Sequence, residues 1–75
     1  MLQVKVVARP SQPEELRFDI ILPSGHVKEI ALDRYQLKAY RGLGITEIIA
    51  EVVLDFLPTA GYTEEECKLT SIVFI

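Results

Sequence analysis

The sequence predicts an α+β domain of two layers: a mostly antiparallel four-stranded sheet, in the chain order βββααβ, with two main helices on one face. Three observations lead there. Apolar residues alternate with period two between residues 2 and 32, then recur at spacings of three and four as far as Leu57, then return as a short run at 72–75. Proline and glycine fall at the joints between these stretches. The chain has 75 residues, 49% hydrophobic and 25% charged, which makes residues 1–75 a single domain. Its core is small, since a chain of this size buries only about 60% of its unfolded surface.

In the first strand Leu2, Val4, Val6 and Ala8 alternate with Gln3, Lys5 and Arg9, and only Val7 breaks the pattern. The two prolines of Pro10-Ser11-Gln12-Pro13-Glu14-Glu15 block both helix and central strand, so this stretch is a loop. Leu16, Phe18 and Ile20 alternate with Arg17 and Asp19 in a second strand that continues to Leu22. Pro23-Ser24-Gly25-His26 is turn chemistry: proline presets φ and Gly25 accepts the positive φ that closes a hairpin. Val27 to Leu32 returns as the third strand.

A first helix is expected from Asp33, an N-cap with Gln36 three residues on, to Gly42. Leu32, Tyr35, Ala39, Tyr40 and Leu43 share one arc of its wheel, which turns both tyrosines toward the core, and Leu32 can staple onto Leu37. Thr46 is the expected cap of a second helix with the stripe Ile48, Ile49, Val52, Val53, Phe56 and Leu57, ended by Pro58. Thr63 and Glu66 make a capping box for one further turn before Lys68 to Ile75 forms the last strand.

That strand shapes the functional expectation. Ile72, Val73, Phe74 and Ile75 are apolar on both faces, at a chain end that ordinarily frays. Helices on one face of the sheet leave the other bare, and so short a chain supplies no second layer. Self-association through these four residues, as a two-fold homodimer, follows as the expectation. The chain then reads as a small non-enzymatic interaction module that acts by presenting surfaces, to itself and to another protein.

Charge is divided unevenly. Residues 1–41 hold seven of the eight Lys and Arg against five acids, whereas 42–75 hold Lys68 against six acids. On the second helix Glu47, Glu51 and Asp55 repeat at i, i+4 and i+8, a spacing at which like charges repel. With Leu54, which lies near Ala50 on the far side of the stripe, they outline a docking surface for a basic partner. Arg34, Lys38 and Arg41, with Gly42 and Gly44 beside them, support an alternative, a nucleotide or nucleic-acid binder. Against it stand a formal charge of −3, a pI near 5.0, tyrosines expected to face inward and the lack of a P-loop lysine. Nucleic acid is therefore not the expected partner. A second alternative is a small-molecule pocket walled by two subunits, because one has little volume for it.

Neither a cofactor nor a metal is expected. His26 lies in a turn, Cys67 has no paired base in view, and Glu64, Glu65 and Glu66 are adjacent carboxylates in solvent. A single cysteine excludes an internal disulfide and suits the cytoplasm. The start of the chain lacks a signal-peptide pattern, and no apolar run has the roughly 20 residues of a membrane span.

Overall fold

The computed structural model describes residues 2–75. Its strands are β1 (Gln3–Ala8), β2 (Leu16–Ile21), β3 (Val27–Leu32) and β4 (Ser71–Phe74), and its helices α1 (Arg34–Leu37), α2 (Ile45–Thr59) and α3 (Glu64–Lys68). The sheet order is β3-β2-β1-β4. The α+β class, the four strands and the mostly antiparallel pairing agree with the sequence, and one of the three pairings is parallel, so the sheet is mixed. β1–β2 and β2–β3 are antiparallel hairpin pairs, whereas β4 returns from the helical layer and lies parallel to β1. The crossover through α2 makes that direction available, as in any β-helix-β connection.

The register assigns every side chain to a face. Val6 opposes Ile20, Ile20 opposes Lys28 and Val4 opposes Ile72. The covered face therefore carries Val4, Val6, Phe18, Ile20, Ile30, Leu32 and Ile72, and α2 lays Ile48, Ile49, Val52, Val53 and Leu57 on it. Val4, Phe18, Ile20, Val53 and Leu57 are wholly buried, and each such side chain contributes about 1.5–3 kcal/mol by leaving water. The hairpin turn forms as expected. Gly25 has φ +91°, its N–H donates to the Leu22 carbonyl, and Leu22 N–H donates to the His26 carbonyl.

The helical layer departs from the expectation in three places. The first helix is one turn, Arg34–Leu37, continued by a 3₁₀ turn at Lys38–Tyr40, so there is one main helix and not two. Asp33 does cap it, accepting from the Tyr35 and Gln36 N–H groups. Only Leu37 and Tyr40 pack on the core, and a spacing of three is the repeat of a 3₁₀ helix, which stacks i over i+3. Two turns with so little buried surface do not sustain α-helical propagation. Tyr35, two residues before Leu37, consequently points outward and is 64% exposed.

The cap of α2 is Gly44, not Thr46. Glu47 accepts from Gly44 N–H at 3.4 Å, the return half of a capping box, whereas the residue three after Thr46 is the apolar Ile49. Pro58 sits inside the last turn and does not stop the helix. Tyr62 N–H donates to the Leu57 carbonyl and Gly61 N–H to that of Pro58, with Gly61 at φ +97°. This is a Schellman stop, with Gly61 as the left-handed residue and Tyr62 packed back on the core. Thr63 and Glu66 cap α3 reciprocally, as the sequence predicts.

Candidate functional site

Two regions carry the residues that the sequence singles out, and they lie at opposite edges of the sheet. The first is β4. Ser71 N–H donates to the Leu2 carbonyl and Ile75 N–H to that of Val6. Residues 71, 73 and 75 thus turn their backbone toward β1, and strand alternation points the N–H and C=O groups of Ile72 and Phe74 to the free edge. Ile72 packs on the core and Val73 is half-buried, while Phe74 is 49% and Ile75 70% exposed. Leu69, just before the strand, is also exposed.

The open face of the sheet is less apolar than its edge. Val73, Lys5, Ile21 and Val27 form one cross-strand row, and Val7, Asp19 and Glu29 the next. Asp19, only 5% exposed, is the one buried charged group among the described residues. Arg9 lies over it, with Nε donating at 2.7 Å and Nη2 to the same Oδ2 atom. The hydrogen bond and charge of Asp19 raise the Arg9 pKa further above its ordinary value. Arg17 and Glu29 join this pair around a shallow hollow. Sequence reasoning passed over this cluster. The available signal was the charge at Asp19 between Phe18 and Ile20 on a central strand, which requires a partner.

The second region is the surface of α1 and the 3₁₀ turn. Glu14, Arg34, Tyr35, Leu37, Lys38 and Arg41 line an open groove of about 560 Å³. The Arg34 guanidinium stands 4.9 Å and the Lys38 ammonium 5.3 Å from the centre of the Tyr35 ring. Arg34 also donates to the Tyr35 hydroxyl at 3.0 Å and lies 3.7 Å from Glu14. Gly42, at φ +90°, turns the chain out of this segment. Gly44 belongs to no anion cradle of the kind the sequence suggested, because the Glu47 carboxylate already occupies its N–H.

The remaining candidates are scattered. Glu47, Glu51, Leu54 and Asp55 are all exposed on α2, but Glu47 is engaged as a cap. Among the described residues the acidic and basic ridges form no ion pair with each other; the pairs present are Arg9–Asp19, Arg34–Glu14 and Lys68–Glu64. His26 is exposed and Cys67 half-buried against the core, so they belong to different surroundings. Among the described residues no group of three His, Cys, Asp or Glu is placed to hold a metal, and no helix is long and apolar enough to cross a membrane. No protein-family model matches the chain, and neither the curated proteins nor the solved structures compared with it give a match.

Proposed function

We propose that this chain is a non-enzymatic, cytoplasmic interaction module that self-associates, pairing β4 antiparallel with β4 of a second copy across a two-fold axis. One observation carries the reading: β4 is an edge strand with no device against pairing. Natural edges are blunted by lysines, prolines or bulges, and Ser71-Ile72-Val73-Phe74-Ile75 contains no charged side chain and no proline. The outward groups of Ile72 and Phe74 supply a self-complementary ladder when the register is centred on Val73, since Ile72 of each copy then meets Phe74 of the other.

The edge is favoured over the open face because Lys5, Arg17 and Glu29 would have to leave water if the face were covered. An eight-stranded sheet results, with Phe74, Ile75 and Leu69 closing over the seam. So short a ladder makes an interface at the small end, below about 1,200 Å², with a dissociation constant expected at about micromolar level. Analytical ultracentrifugation across micromolar concentrations tests it. A concentration-dependent dimer is expected, and Ile75→Lys, at a side chain exposed enough to spare the fold, returns the monomer. A native chain that stays monomeric overturns the proposal, as does a dimer indifferent to Ile75→Lys and Phe74→Lys.

A further inference from the structure

We infer that the groove lined by Arg34, Tyr35, Lys38 and Arg41 binds single-stranded nucleic acid, with phosphates on the three cations and a base stacked on the Tyr35–Arg34 platform. Charge, ring and shape each contribute to the inference. Three cations on two adjoining turns repel one another. Two of them are nevertheless gathered over one aromatic ring, at 4.9 and 5.3 Å, where the negative face of the π-system offsets their repulsion. The result is a preorganised positive row on a chain whose formal charge is −3.

The one acid in the lining, Glu14, is displaceable. It is exposed, its backbone takes φ +65°, and its carboxylate lies at 3.7 Å from Arg34, beyond hydrogen-bond range. Tyr35 is the second element. Tyrosines buried in the core would leave only a basic ridge, but with Leu37 turned to the core the Tyr35 ring stands in solvent within the cationic row. Exposed aromatic and Arg planes are what sequence-tolerant single-strand binding uses.

Shape supplies the third element. The groove is open, so it suits a strand passing over it better than a small nucleotide, which needs enclosure for affinity. Acidic peptide segments share the charge but bring a flat ring only where an aromatic residue interrupts them, whereas every nucleotide of a single strand supplies one. The site follows directly on β3, at the edge of the sheet remote from β4. Substitutions here therefore leave self-association in place, and the two proposals fail independently.

The test is fluorescence anisotropy with a fluorescein-labelled oligothymidylate of about ten nucleotides, between about 50 and 200 mM salt, with a labelled oligoglutamate peptide of equal charge as the comparison arm. Binding of the oligonucleotide is expected, with a slope of log K against log salt of about −2 for three phosphate contacts. Arg34→Ala and Arg41→Ala should each make the slope shallower by about 0.7. Tyr35→Ala should weaken binding at least about fivefold, while Tyr35→Phe, which keeps the ring, retains it. Absence of oligonucleotide binding at low salt overturns the inference. So does a slope unchanged in both arginine variants, affinity unchanged in Tyr35→Ala, or tighter binding of the oligoglutamate, which would give the groove to an acidic protein segment.

Discussion

The two edges of the sheet are built on opposite principles. β3 presents Val27, Lys28, Glu29 and Ala31 as exposed residues, with charge at the middle of the strand. β4 presents Ile72, Val73 and Phe74, with no charged side chain from Leu69 to Ile75. Both are outer strands of one four-stranded sheet and both leave a row of backbone groups unpaired. An edge with Lys and Glu at its centre resists a second chain because pairing would strip water from those groups. An edge of β-branched and aromatic residues lacks that penalty and gains apolar burial instead. The contrast gives the sheet a direction of growth: one side is closed to addition and the other is open to it.

The most drastic way to break the comparison is to remove what both edges rest on. Phe18 on β2 is wholly buried, and Phe18→Ala should cost about 3–5 kcal/mol. In so small a domain that is enough to unfold β3 and β4 together, read as loss of a cooperative urea transition. Next in size is the reversal of the edge rule. Lys28→Val combined with Glu29→Val strips β3 of its charge, so that both edges accept a strand. Dimers should then extend into open chains, seen as growing light scattering, whereas a variant that remains dimeric would show that edge charge is not what limits growth.

Much of this contrast is legible in the sequence, for physical reasons that differ by element. The alternation in Leu2–Ala8 and Leu16–Ile20 and the glycine at the turn determine β1, β2 and the hairpin, because one buried face and one tight turn admit a single register. The apolar run at 72–75 announces an exposed strand, although not its parallel pairing with β1, which depends on where the helical layer returns the chain. The capping residues divide along the same line. Asp33 and Thr63 reveal themselves by Gln36 and Glu66 three residues later, and the same rule applied to Glu47 identifies Gly44, which a preference for Thr46 obscured.

The candidate sites were less legible. The expected wheel takes Leu32, Ala39 and Leu43 as its inner arc, whereas the segment buries Leu37 and Tyr40; Tyr35, two residues and about 200° from Leu37, therefore lies on the surface and not in the expected core. The Arg9–Asp19 pair is a contact between residues ten apart that only the β1–β2 register brings together. Glu51, Leu54 and Asp55 are where the wheel places them, on the exposed side of α2, because that helix is long and regular.

The central claim, that β4 is the edge at which copies meet, is tested most directly by amide hydrogen exchange as a function of protein concentration. Just after β2 the Leu22 N–H donates to the His26 carbonyl, which sets the alternation along the hairpin and turns the amides of Glu29 and Ala31 outward on β3, as those of Ile72 and Phe74 turn outward on β4. Pairing through β4 predicts that Ile72 and Phe74 gain protection as concentration rises while Glu29 and Ala31 continue to exchange freely. Free exchange at Ile72 and Phe74 at every concentration, or protection that develops at Glu29 and Ala31 instead, would contradict it.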